Sequence, residues 1–296
     1  MTNTLRRRET LWAYLFLAPL LIGLGIFYYF ALFQNLYYSF TDLGPFGKPN
    51  LIGWRNYVRL FSDEKFYRAL IHTVKYVVVS VPAIVVCSTL LATLLNAKIR
   101  GRNVYRTLIF IPAVTMPAAI GLLWRWLYNY QYGLINLILS FLGVKPIAWL
   151  SDTRIVLYAI AVVLIWSIVS YQMIIVLAGL QGISSTYYEA AEIDGAGPFQ
   201  QFFRITLPLL TPTLFFITVI SIINVFQIFD FIFLMIDPRA LSMQYAMSLV
   251  YYFFDRAFVV NERGYAAAIS LALFVIILAV TIVQFRLQKK WVHYES

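Results

Sequence analysis

The 296-residue chain offers few groups for covalent chemistry. Its one cysteine, Cys87, has no partner for an internal disulfide. Two histidines, His72 and His293, leave little for a histidine-built metal site. No H-E-x-x-H helix and no G-x-S-x-G elbow occurs. What remains is hydrogen bonding and charge pairing, and it gathers in three places. One apolar run contains Ser167, Ser170, Tyr171 and Gln172. Another contains Ser221, Asn224, Gln227 and Asp230 at steps of three, a spiral along one broad helical face. Between the two runs, Glu189, Glu192 and Asp194 bring three acids into six residues. Hydroxyls, amides and an aromatic ring suit a solute rich in hydroxyls, with ring faces stacking on C–H surfaces. The competing reading is adhesion between membrane helices, at about 0.6 kcal/mol for each such hydrogen bond.

The acidic segment reads as a short helix and a bend. Thr186 is placed to cap it, with Glu189 three residues on as a capping-box partner. Ala190 and Ala191 present a small face, and Gly195 with Gly197-Pro198 ends the helix. Phe199, Phe202 and Phe203 continue as an aromatic face, and a new helix is expected from Leu207-Pro208. On spacing alone an ordinary amphipathic connection, with Glu189 only a cap, fits as well.

The elements that must hold these groups are membrane helices. Residues are 61% hydrophobic and 12% charged, with a mean hydropathy of +0.78. A water-soluble fold has nowhere to put that much apolar surface. Disorder is excluded on the same grounds. Six apolar runs approach the roughly 20 residues that cross a bilayer as helix: about 11–33, 73–95, 107–128, 155–180, 209–235 and 266–285. They do not alternate as barrel strands would, so an all-α integral membrane protein is expected. Arg6, Arg7 and Arg8 precede an apolar run too long for a signal peptide, and no A-x-A site follows it, so a retained first helix is expected. Basic residues crowd short segments at one set of helix ends (Lys98, Arg100, Arg102, Arg106, Arg204, Arg286), which by the positive-inside tendency places both termini in the cytoplasm. The net charge of +10 then reflects topology, not a nucleic-acid surface. The loop at 42–68 falls outside, with aromatics that can sit at the interface or pack on helix ends. No phosphate loop of the G-x-x-x-x-G-K-S/T type is present, so ATP hydrolysis by this chain is not expected.

The acidic segment resembles the E-A-A…G…I-x-L-P signature of permease subunits of ABC importers. It stands here as Glu189-Ala190-Ala191, Asp194-Gly195-Ala196 and Ile205-Thr206-Leu207-Pro208. Further stretches are similar to the carbohydrate branch and its larger maltose-importer permease: Arg100-Gly101-Arg102, Ile111-Pro112, Gly143-Val144-Lys145-Pro146, Trp149-Leu150-Ser151-Asp152 and Gly264-Tyr265-Ala266-Ala267-Ala268. Two extra N-terminal helices and a large extracytoplasmic domain of that subunit have no counterpart here.

The resemblance implies a single integral membrane domain over 1–296 with the six-helix type I ABC importer permease fold, a permease core at about 70–286 and a coupling elbow at about 186–204. It implies no catalytic residue and no metal or cofactor in this chain, with ATP and Mg held by the partner. The implied partners are a second homologous permease, two ATP-binding cassette subunits, an extracytoplasmic solute-binding protein and a sugar, in a bacterial or archaeal cytoplasmic membrane. Glu189, Ala190, Ala191, Asp194 and Gly195 would couple to the ATPase. Tyr171 and Ser221 fall on matching sugar-contact positions of the same type. Asn224 falls where the family has an aromatic, and Gln227 lies beside a contact position. Ser167 joins them as a substrate-site candidate on the fourth run. Val225 and Ile228 stand where the maltose subunit is polar. The alternative is an ion-coupled secondary transporter, for which Asp230 is the single intramembrane acid.

Overall fold

A computed structural model describes residues 2–97, 100–290 and 292, without the side chains of 2–8. His293 and Lys98 lie outside the described residues. Among the described residues the chain is helical, apart from one isolated bridge between Thr41 and Leu51. In chain order the helices are α1 (Glu9–Ser39), α2 (Arg55–Ser62), α3 (Glu64–Asn96), α4 (Arg102–Val114), α5 (Pro117–Leu127), α6 (Leu134–Phe141) and α7 (Val156–Gly182). They continue as α8 (Ser185–Ile193), α9 (Pro198–Leu209), α10 (Thr211–Phe226), α11 (Asp230–Met235), α12 (Met243–Ala246), α13 (Leu249–Phe254) and α14 (Arg263–Gln288).

Helices α1, α3, α7 and α14 are each long and apolar enough to cross a membrane. Two bent pairs, α4 with α5 and α9 with α10, bring the spans to six if each pair crosses once. The expected third and fifth runs are therefore not straight helices. The third breaks by 101° at Thr115-Met116, immediately before Pro117 takes the first position of α5. The fifth bends by 64° at Leu210. Pro212 lacks an N–H for the carbonyl of Pro208, and the Thr211 hydroxyl donates to that oxygen instead at 2.7 Å. The same run breaks again after Phe226. The Ser248 hydroxyl donates to the freed carbonyl of Ile228 at 2.6 Å. Asp230 thus opens a separate short helix, exposed, rather than lying inside a span.

Contacts divide the chain into two compact units. The larger one comprises Glu64–Tyr252 with the chain from Leu273 onward. Its centre is α7, which is hydrophobic all round and has 56% of its apolar window buried. Tyr76 of α3 is fully buried and donates to the Ala246 carbonyl at 3.0 Å, and Thr73 accepts from the Leu249 N–H at 2.9 Å. Asn136 ties the loop between α6 and α7, donating to the Ile147 carbonyl at 3.0 Å and accepting from the Trp149 indole at 3.0 Å. Near the α8 end, Ala92, Leu95, Met173, Leu177, Leu180, Leu210 and Ile217 form a second apolar cluster joining α3, α7 and α10.

The smaller unit comprises the residues up to Asp63 with Phe253–Ala272. The aromatics of its loop pack on one another, with Phe40, Trp54 and Tyr57 at 5.1–5.4 Å between rings. Gly264 donates to the Leu43 carbonyl at 2.9 Å, and the Thr41 carbonyl stands where a side chain at 264 would begin. Arg59 makes a two-pronged pair with Glu262 at 2.9–3.1 Å and lies 4.1 Å from the centre of the Tyr265 ring. Arg256 reaches the same carboxylate at 3.2 Å, and Tyr265 donates to Asp63 at 2.5 Å. The apolar window of α1 has none of its residues buried by the rest of the chain.

Candidate functional site

The elbow helix is capped two residues earlier than its spacing suggests. Ser184, not Thr186, caps α8, accepting the Thr186 N–H at 3.3 Å. Extended backbone at Ser184 lets its hydroxyl reach back, whereas Thr186 already lies in the helix. Glu189 is consequently not a capping-box residue. It is exposed and makes no ion pair or side-chain hydrogen bond among the described residues, and the same holds for Glu192 and Asp194.

The end of α8 is set by Gly195 at φ +76°, a left-handed conformation that glycine adopts without steric cost. Around it the Ala196 N–H donates to the Ala191 carbonyl at 2.8 Å and the Gly195 N–H to the Glu192 carbonyl at 3.0 Å. These two bonds are the Schellman closure. Ala191 is half-buried under the bend while Ala190 is exposed. The two arms of the elbow are braced by Tyr188 to Thr206 at 2.9 Å and by the Gln201 amide donating to the Ala196 carbonyl at 3.1 Å.

Two apolar side chains stand out beside the acids: Ile193 is 87% exposed and Phe199 is 81% exposed. Phe199 leans on Phe203, ring centres 5.2 Å apart. Spacing alone did not single out Ile193. Its one signal is an apolar residue in the last turn of an otherwise polar short helix. The elbow is thus a braced corner that carries exposed carboxylates without partners among the described residues, and bare apolar side chains.

The polar groups of the spans separate into two faces. α7 leads into the elbow and α10 follows it. They touch at Gly179, where a Cβ would lie 2.5 Å from the Thr213 hydroxyl. Ser167 is half-buried and Tyr171, one turn on, is 57% exposed. On α10 and its end, Asn224 and Gln227 are exposed. Ser221 is instead fully buried, as is Gln172, and neither side chain finds a hydrogen-bond partner among the described residues. The five candidates therefore do not share a surface: Tyr171, Asn224 and Gln227 lie on uncovered faces, Ser167 at the edge, and Ser221 inside. Among the described residues no group of three His, Cys, Asp or Glu side chains is placed to hold a metal.

This arrangement has close relatives. Residues 61–293 match the family described as the binding-protein-dependent transport system inner membrane component. YesP of Bacillus subtilis, named as a probable ABC transporter permease, is 34% identical over 98% of this chain and 94% of its own length. The trehalose/maltose transport permease MalF of Thermococcus litoralis is 33% identical over 96% of this chain and 95% of its own. A chain from the crystal structure of a bacterial alginate ABC transporter, in complex with an alginate pentasaccharide-bound periplasmic protein, superposes with a TM-score of 0.86 at 23% identity, covering 98% of this chain and 97% of that one. These relatives are transport subunits, and the all-helical fold is that of an ABC importer permease. A multi-pass membrane protein with this fold and this degree of relatedness belongs to the binding-protein-dependent transport system inner membrane components.

Proposed function

We propose that this chain is one permease subunit of an ATP-driven, binding-protein-dependent importer of sugars, di- or oligosaccharides in particular. It forms half of the pathway and takes its drive from a separate ATPase through the α8 elbow. The observation that carries this reading is the braced elbow with its unpaired acids, Ile193 and Phe199. A corner held by Tyr188–Thr206 and a Schellman closure moves as one piece, and α7 and α10 are the helices it would swing.

The trehalose/maltose relative supports a sugar as solute. So does the exposure of Tyr171, Asn224 and Gln227, because polar groups at membrane depth are costly unless they meet water, a partner or solute. A second homologous permease would close the other side of the pathway, two ATP-binding cassette subunits with their ATP and Mg would sit under the elbow, and an extracytoplasmic binding protein would deliver the sugar. Both termini then lie in the cytoplasm of a bacterial or archaeal cell.

The test is uptake by the reconstituted complex with its binding protein. ATP-dependent sugar uptake indifferent to an uncoupler is expected, with Tyr171→Ala and Asn224→Ala changing the uptake constant and not assembly. Uptake abolished by an uncoupler and indifferent to ATP would make this an ion-coupled transporter instead.

A further inference from the structure

We propose that α4 carries a binding site for one anionic phospholipid, its phosphate held by Arg102 and Arg106 and one acyl chain laid in the groove between α3, α4 and α7. Two independent observations meet there.

The first is charge without a partner. Arg102 and Arg106 are one turn apart on α4 and share its face. The Nε of Arg102 and the Nε and Nη2 of Arg106 are covered yet find no hydrogen-bond acceptor among the described residues. No acid can reach them from nearby in the chain, because the sequence holds no Asp or Glu between Glu64 and Asp152. Both arginines are otherwise half-buried, so their remaining N–H groups are open to a ligand, and two oxygens of a phosphate are what the guanidinium fork fits.

The second is an apolar groove of about 640 Å³ that begins two residues further along the same helix. Leu108 and Ile111 of α4, Cys87 of α3, and Ile165, Trp166 and Val169 of α7 line it. Ile109, also in the lining, continues the stripe of Arg102 and Arg106 at the helical step of three. Along α7 the lining runs from Val162 to Ser170, about 12 Å at 1.5 Å per residue, close to the depth of one leaflet. Basic headgroup contacts at the membrane edge followed by an apolar trough of leaflet depth match the two chemistries of an anionic phospholipid. The proposal does not depend on which solute is carried.

The assembled transporter in phosphatidylcholine nanodiscs is titrated with phosphatidylglycerol whose acyl chains are brominated. Quenching of Trp166 is read as the difference from a Trp166→Phe variant. Brominated phosphatidylglycerol should quench at a membrane fraction about thirtyfold lower than brominated phosphatidylcholine, from roughly fivefold per arginine near an anionic headgroup. R102Q/R106Q should abolish that preference, while Arg286→Gln leaves it intact. If the double variant fails to insert, Val169→Phe, which fills the trough with both arginines present, should remove the quenching. Equal quenching by both lipids, a preference that survives R102Q/R106Q, or a Trp166 shielded from every lipid by the second permease would each overturn the proposal.

Discussion

Two charged regions of this chain are built in opposite ways. In the loop around Arg59 every acid has a use: Glu262 holds two arginines, Asp63 receives Tyr265, and Asp42 accepts both the backbone and the side-chain amide of Asn50. In the elbow, Glu189, Glu192 and Asp194 hold nothing among the described residues, although the backbone beneath them is fully organised. The first region spends its charge on its own fold. The second leaves its carboxylates unpaired among the described residues and draws its shape from a glycine bend and a hydroxyl brace. The saturated polar groups are scaffold, and the proposed function assigns the unsaturated ones to an interface.

The sharpest way to break this comparison is at Gly195. Gly195→Pro cannot adopt φ +76° and removes the N–H given to Glu192, a loss of about 3 kcal/mol that should lower ATP-driven uptake by more than about a hundredfold while the protein still inserts. Uptake assays beside membrane-fraction blots would decide it. Next in size, Glu189→Lys should reduce uptake about tenfold, because a like charge set against a partner's basic residue opposes docking without touching the fold. Normal uptake in both variants would remove the elbow from the coupling route.

The smallest effect belongs to the saturated region. Glu262→Gln should lower stability by about 1 kcal/mol at most, given partial exposure, and leave coupling unchanged. The sign of its pH dependence follows from the Glu262 carboxyl. Burial pushes it up, but the hydrogen bonds and charges of Arg59 and Arg256 outweigh burial and hold it below the usual carboxylate range. A depressed carboxyl stabilises fully above its unfolded value of about 4.3 and loses that contribution as pH falls through the folded one. Thermal melts of wild type and Glu262→Gln should therefore differ at neutral pH and converge in acid.

Much of this was legible in the chain itself. Long apolar runs declare membrane helices because lipid leaves the backbone no other partner. The elbow was legible because glycine, proline and clustered acids are uncommon beside such runs, so their spacing stands out. Thr186 misled because it and Ser184 are both competent caps, and only the backbone at 184 chooses between them. The breaks at Thr115 and Leu210 were hinted at by Pro117 and Pro212, yet Pro19 and Pro82 sit inside helices that continue through them. A proline marks where a helix is able to bend, and packing decides whether it does.

The sequence by itself determined the solvent, the approximate spans, the absence of a phosphate loop and the residues of the elbow. Tertiary structure alone decided which polar groups are uncovered: Tyr171, Asn224 and Gln227 on open faces, Ser221 and Gln172 within. The reason is the bilayer. Where the surroundings are as apolar as the core, a helix such as α7 is hydrophobic on every side, and periodicity no longer says which side faces inward.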